Sequence, residues 1–349
     1  MSESPPRISV LIPCRNEERT IEQVLEALHR QSFPAGRIEV IVADGRSTDG
    51  TRERIEGFAR AHPGWALRWV DNPGLSAPAG LNAALREAHG EIILRMDAHA
   101  IPDPDYVEQC VRAFERSGCD GVGGGISIQP GGGGVVARAI AAAVANPFAT
   151  GGVRYRSGGT EGEVDTVPFA AFRRDVFRRV GGFNERVPVN EDYEFNYRVR
   201  AAGGRIFFSP AIRSRYIARG DLAALVRQYY FYGRQKAVML SFHPKSIRLR
   251  QLIPALFAPS LAVLGAGSFL LPPLAIILGL ELLAYAAVSA GFAGREAAVR
   301  KDAALFPTLM LIFFCIHSAW GVGFWIGAAR SLGRLFRGRP PASRGRAGT

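Results

Sequence analysis

Ile38-Glu39-Val40-Ile41-Val42-Ala43-Asp44-Gly45-Arg46-Ser47-Thr48-Asp49-Gly50 reads as a strand from Ile38 to Ala43 that ends in a carboxylate and a Gly-rich turn. A short, mainly apolar run closed in this way suits a strand covered on both faces. The pattern recurs on either side. Ile8 to Ile12 is a similar run ended by Pro13, and Leu67 to Val70 and Ile92 to Met96 are two more. Helical spacing lies between them. Ile21, Val24, Leu25 and Leu28 follow the first strand, with Thr20 and Gln23 at capping-box spacing. Helices are expected from about Thr51 to Ala61 and from Ala79 to Ala88. This alternation predicts an α/β domain with a doubly wound, mostly parallel sheet. Such sheets bind ligands at the carboxyl ends of their strands, so the residues after each strand are the ones to read for chemistry.

From Asp120 the pattern loosens. Gly123 to Gly125 and Gly131 to Gly134 bracket a strand, and Val135 to Ala145 reads as a helix. Thr150 to Glu163 is polar and Gly-rich, Val164 to Phe172 has strand character, and Glu191 to Ala202 is helical. The catalytic domain is expected to cover residues 1–219. Residues 220–250 hold an amphipathic helix, Asp221 to Leu240, with Arg227, Arg234 and Lys236 among Tyr229, Tyr230, Phe231 and Tyr232. Basic residues mixed with aromatics suit a membrane interface.

Residues 251–330 contain three apolar stretches: Leu252 to Leu271, Leu274 to Phe292, and Ala303 to Ala329. Each is long enough to cross a bilayer at about 20 residues per crossing. Pro272-Pro273 predicts a tight turn, and Glu281 lies inside the second stretch. Glu281 is expected either to be protonated or to have a polar helix partner. Arg295, Arg300 and Lys301 mark the loop before the third stretch as cytoplasmic, and Arg330, Arg334, Arg337 and Arg339 mark the carboxyl terminus likewise. Three crossings cannot satisfy both, so either the third stretch is re-entrant around His317 to Gly323 or one flank breaks the rule. Residues 331–349 form a basic tail expected to lack fixed structure.

The net charge is +12, from 40 arginines and three lysines against 31 acidic residues. Much of the excess borders the apolar stretches, which favours membrane lipid over nucleic acid as partner. Cys14, Cys110, Cys119 and Cys315 match neither a zinc pattern nor a disulfide framework and read as free thiols. Residues 1–6 lead straight into a strand with no signal-peptide pattern, so the domain is expected to stay in the cytoplasm.

Three turns carry chemistry. Pro13-Cys14-Arg15-Asn16-Glu17 puts Arg15 and Glu17 at the sheet edge. Asp44 lies where a nucleoside could donate hydrogen bonds to it. Asp97-Ala98-His99 offers two metal ligands, and the imidazole tilts the choice toward a transition ion such as Mn²⁺ over Mg²⁺.

In order and spacing, these turns together with Gly80-Leu81-Asn82 resemble glycosyltransferase family 2. Gly181-Gly182-Phe183 and Glu191-Asp192 extend the resemblance to about Arg215. The apolar carboxyl third and the Asp-Ala-His form are similar to the succinoglycan-type exopolysaccharide glucosyltransferases. The resemblance implies a GT-A fold and an inverting reaction that uses a divalent metal, Mn²⁺ or Mg²⁺. It implies that Pro13, Arg15, Glu17, Asp44, Asn82 and Asp97 line the UDP-sugar site, with Asp97 and His99 at the metal. It makes Asp192 the catalytic base, with Glu191 beside it. The group transferred is expected to be a hexose, glucose from UDP-glucose, and the membrane stretches point to a lipid-linked saccharide at a bacterial inner membrane as its acceptor.

Two features depart from the family pattern. His99 stands where relatives carry an aspartate, and nothing between Asp71 and Arg86 is basic, so Arg15, Arg234 or Lys236 would have to meet the diphosphate. Gln228 to Lys236 is only loosely similar to the Gln-x-x-Arg-Trp motif of processive synthases and has no tryptophan, which weighs against a polymerase. A catalytically inactive sugar-nucleotide-binding scaffold is the reading from another class. Retention of Asp44, Asp97, His99 and Asp192 together opposes it.

Overall fold

In β2 (Ile38–Asp44) successive side chains leave the strand on opposite faces. Val40 and Val42 join one buried cluster with Val10, Ile12, Leu94 and Phe114. Ile41 and Ala43 join another with Leu11, Ile93, Leu81 and Phe195. A sheet buried on both faces needs apolar residues at both parities, and this is why the run is nearly unbroken.

The computed structural model describes residues 7–336, and the chain divides into two units after Asp221. The first unit adds β1 (Ile8–Cys14), β3 (Ala66–Asp71), β4 (Ile92–Arg95), β5 (Ala100–Pro102), β6 (Gly121–Gln129), β7 (Gly162–Glu163), β8 (Ala171–Arg173) and β9 (Ile206–Ile217). The strand order is β3-β2-β1-β4-β8-β6-β9-β5, with β7 on β9. The four leading strands are parallel. Beyond them β8 lies antiparallel to β4 and β6, while β6 and β9 run parallel.

Local expectations fail in three places, each with a physical cause. Pro13 does not end β1, which pairs with β2 through Cys14. The β1–β4 ladder stops at Leu11 opposite Arg95. Pro13 therefore faces a side with no partner strand, where its missing N–H is harmless. The capping box at Thr20 does not form. Thr20 Oγ1 donates instead to the Glu17 carboxylate at 2.8 Å. The strand expected from Val164 shrinks to Ala171–Arg173, because Phe169 adopts φ 45° and breaks extended geometry. The long strand β9, from Ile206, is not among the expected elements.

At the amino ends of the strands, Glu39 is fully buried. Its carboxylate accepts from Ser9 Oγ (2.5 Å), the His89 and Gly90 amides (2.6 and 3.2 Å) and Arg68 (2.8 Å). Burial alone would raise its pKa, but these bonds outweigh it and hold the group below its ordinary value. A depressed folded pKa adds stability above the unfolded value, which is lost as pH falls through the folded one. Glu39→Gln should therefore cost about 1–3 kcal/mol at neutral pH. The melting temperature of the variant should vary less between pH 6 and pH 3 than that of wild type. An unchanged melting curve at pH 7 would refute this.

The second unit is helical. Leu222–Phe242 is followed by Leu249–Gly267, Pro273–Val299 and Leu305–Phe336. The last three are long and apolar enough to cross a membrane. Pro272 and Pro273 lie at the turn between the first two of these. Glu281 has a polar partner, for Ser260 Oγ donates to it at 2.6 Å. The third helix runs unbroken through His317 to Gly323, so no re-entrant break forms there. His317 Nδ1 meets the Tyr285 hydroxyl at 2.9 Å. Glycines set the packing: a Cβ on Gly323 would lie 2.0 Å from the Tyr230 carbonyl, and one on Gly233 1.9 Å from that of Trp320. Lys236 is buried and donates to the Ser246 carbonyl at 2.8 Å. This corrects the expectation that it is available to a diphosphate. The helix reaches Phe336, past the boundary expected at residue 330. The rest of the expected tail, residues 337–349, lies outside the described residues.

Candidate active site

The carboxyl end of β1 and that of β2 interlock. Asn16, at φ 56°, accepts the Thr48 amide (2.8 Å), and its own N–H donates to Ser47 Oγ (2.9 Å). The Glu17 amide donates to Thr51 Oγ1 at 2.8 Å. Pro13 is half-buried at this edge, and Arg15 is exposed over Gly45. Asp44 is fully buried. One of its oxygens takes Ser47 (2.6 Å from Oγ), and the other takes Arg52 (2.7 Å), which lies over the Trp69 ring at 4.2 Å. Asp44 therefore meets the cleft through Arg52 and Ser47, not by a freely exposed carboxylate.

The turn after β4 carries Asp97 and His99. His99 Nδ1 lies 3.0 Å from Glu17 Oε1, and Nε2 lies 3.9 Å from Asp97 Oδ2. With the proton on Nδ1, Glu17 fixes the ring and Nε2 offers its lone pair beside Asp97. Burial alone would lower the His99 pKa. The Glu17 hydrogen bond and the charge of Asp97 outweigh it, so it lies above the ordinary value. Burial alone would raise that of Glu17, but bonding to His99 holds it below.

Among the described residues, no three His, Cys, Asp or Glu side chains form a complete metal cage. Two converging donors still suit a divalent cation that takes its other ligands from phosphate and water. The donor set, one carboxylate and one imidazole, fits Mn²⁺ better than Mg²⁺.

The other acidic pair comes from far along the chain. Asn190, at φ 63°, occupies the position before the helix Glu191–Ala201. Glu191 is buried and Asp192 is partly open, with its side chain 31% exposed. Between them and Asp97 stands Arg95, a residue the sequence reading passed over. It contacts Asp97 Oδ1 (2.8 Å) and Glu191 Oε1 (2.6 Å), and it lies 4.0 Å from Asp192 Oδ2. Burial raises the Glu191 pKa. Arg95 opposes this, and Asp192 and Asp97 add to it. The available signal was an arginine inside the apolar run Ile92 to Met96, where a lone charge requires partners.

Asn82, expected at the nucleotide-sugar site, joins its own helix to a distant loop. Its amide nitrogen donates to the Phe183 carbonyl and to Glu185, both at 2.9 Å, and its oxygen accepts the Phe183 amide at 2.8 Å. A side chain at Gly182 would place Cβ 2.5 Å from the Asn82 oxygen, so this clasp needs glycine there. A second missed residue is Arg219, just beyond β9. The pairing of Ala100 with Tyr216 brings this end of the strand alongside His99, and the charge of Arg219 acts on both Glu17 and His99.

A mixed sheet in which β8, β5 and β7 run against the other strands, with this acidic edge, has the GT-A architecture. The mannosyltransferase of Pyrobaculum calidifontis, solved with GDP-Man and Mn²⁺, matches over 93% of this chain and 88% of its own, with TM-score 0.61 and 22% identity. Residues 1–349 of Staphylococcus aureus TarS, solved with UDP-GlcNAc, match over 93% and 92%, with TM-score 0.50 and 17% identity. The succinoglycan biosynthesis protein ExoA of Rhizobium meliloti is 32% identical over 90% of this chain and 93% of its own. The "Glycosyl transferase family 2" model matches residues 9–181. The chain belongs to glycosyltransferase family 2.

Proposed function

We propose that the protein transfers glucose from UDP-glucose, with inversion, to a lipid-linked glycan during bacterial exopolysaccharide synthesis. The observation that carries this reading is the meeting of Asp97 and His99 with the partly open Asp192 at one sheet edge. Asp192 accepts the proton of the acceptor hydroxyl. The acceptor oxygen bonds to the anomeric carbon as the bond from that carbon to the diphosphate oxygen breaks, and UDP departs with the electron pair. Asp97 and His99 would hold a divalent cation, whose charge offsets the negative charge of the departing diphosphate. Arg219 and Arg15 supply further positive charge, and Arg52, held by Asp44, borders the nucleoside. Asn82 fixes the Gly181–Phe183 loop.

Similarity to the succinoglycan protein supports the polysaccharide pathway class. The choice of glucose rests on the resemblance of the apolar carboxyl third and the Asp-Ala-His form to succinoglycan-type glucosyltransferases. Three helices able to cross a bilayer support a lipid-linked acceptor. The basic loop with Arg295, Arg300 and Lys301 before the third helix supports an inner-membrane site with the catalytic unit facing the cytoplasm, leaving the basic carboxyl flank as the one that breaks the rule. Membranes containing the protein, incubated with separately radiolabelled UDP-sugars, should place label from UDP-glucose in the lipid extract. Label confined to aqueous products, or delivered only by another donor, would refute the assignment.

A further inference from the structure

We propose that Arg95 is a positioning residue that ties the donor side of the cleft to the acceptor side through two carboxylates, Asp97 and Glu191. The inference rests on the reading of Asp97 as a metal ligand and Asp192 as the base.

Asp97 and Glu191 belong to elements 94 positions apart in sequence, and one guanidinium meets both at 2.8 and 2.6 Å. The Arg95 side chain is 9% exposed, and that of Glu191 is 7% exposed. The backbone is anchored where the Arg95 amide donates to the Ala170 carbonyl at 3.1 Å, while Nε has no hydrogen-bond partner among the described residues. The Phe169 ring lies 5.5 Å from the guanidinium carbon. Phe169 itself has φ 45°, a strained conformation for an aromatic residue, and its carbonyl is held by the Tyr106 hydroxyl at 2.7 Å. One terminal nitrogen, Nη2, makes both contacts while Nη1 lies 4.0 Å from Asp192 Oδ2, so a buried planar guanidinium faces all three carboxylates from fixed positions and a single ammonium does not.

Holding Glu191 also orients its neighbour. Glu191 opens the helix and points at Arg95, so Asp192, one position on, is directed to the more open side at 4.0 Å from the same guanidinium. Three carboxylates share one edge, and without Arg95 their repulsion would spread Asp97 and the Glu191–Asp192 pair apart. Arg95 thereby sets the distance between the cation ligand and the base without touching either substrate.

The test compares full-length wild type with Arg95→Met and Arg95→Lys in detergent. Binding of Mn²⁺ to the UDP-bound protein is read by electron paramagnetic resonance, and kcat is read at saturating Mn²⁺ and donor. Arg95→Met should weaken Mn²⁺ binding about tenfold. It should also lower kcat at saturating metal about 100-fold, because the base is displaced. Arg95→Lys should recover less than half of either loss on a logarithmic scale. The double variant Arg95→Met, Glu191→Gln should melt at a higher temperature than Arg95→Met alone, since the stranded carboxylate is gone. A folded Arg95→Met protein with wild-type kcat overturns the proposal, as does a loss in Mn²⁺ affinity or in kcat without the other. Should Arg95→Met fail to fold, Arg95→Lys carries the same paired measurement, and wild-type values for it are equally fatal. Asp192→Asn separates the two ideas. If that variant stays active, the base assignment fails, while the Mn²⁺ measurements on Arg95 still decide whether the clamp holds Asp97.

Discussion

Asp192→Asn is expected to reduce sugar transfer about 10³-fold while leaving UDP binding within about threefold of wild type. The amide keeps the shape of the carboxylate but cannot take the acceptor proton. Asp192 is the right member of the acidic pair for this task because it is the more open one and is 4.0 Å from Arg95. Glu191 is buried and bonded to the guanidinium at 2.6 Å. Glu191→Gln should therefore harm activity by a different route, through loss of the Arg95 contact. The measurement is initial-rate transfer beside UDP binding by calorimetry. Transfer at the wild-type rate in Asp192→Asn would remove the base assignment. Loss of UDP binding in step with activity would show that the substitution damages the donor site instead.

Removal of divalent metal is the second large effect. Exhaustive chelation should abolish transfer, and Mn²⁺ should restore it. Glu17→Gln should then raise the Mn²⁺ concentration needed for half-maximal activity about 10–100-fold, the usual loss when the outer partner of a ligating histidine is removed. Glu17 is not itself the nearest donor. Its carboxylate sits 3.0 Å from His99 Nδ1, and Thr20 pins its other oxygen at 2.8 Å. A neutral amide would no longer fix the tautomer that presents Nε2 toward Asp97. Full activity after chelation would sink the role of His99. An unchanged Mn²⁺ requirement in Glu17→Gln would leave His99 in place but deny Glu17 its orienting part.

The failure of the capping box and the orientation of His99 are one event. Thr20 and Gln23 have the spacing of a helix start, but the Thr20 hydroxyl is drawn to the Glu17 carboxylate three residues earlier in the chain. Spacing alone does not rank the two partners, because Glu17 is oriented by the interlocked loops after β1 and β2. Strain behaves similarly. Four residues other than glycine with positive φ, Asn16, Arg46, Phe169 and Asn190, lie in or beside the candidate site. Only asparagine among these types favours that conformation, so Arg46 and Phe169 gave no sign of it in the sequence. Tertiary contacts hold them there.

Asn82 marks the other limit. Its place among the family-like motifs implies a ligand contact, while the partners of its amide, Phe183 and Glu185, lie about a hundred residues away and have no local signal. Asp44 likewise was legible as a strand-end carboxylate, while its partner Arg52 was not, because a helix turn and Trp69 bring the guanidinium back over it.

The sequence by itself determined the parallel half of the sheet, since burial on both faces forces apolar residues at both parities. It also determined the carboxyl edge where chemistry gathers and the three helices of bilayer length, because hydrophobic run length is a local property. Tertiary structure alone decided what joins the two acidic motifs. Asp97 and Glu191 meet through Arg95 only after β8 inserts beside β4 and the helix at Glu191 closes on that edge. A charge inside a buried strand announces that it needs partners. Which carboxylates answer depends on distances that no spacing in the chain encodes.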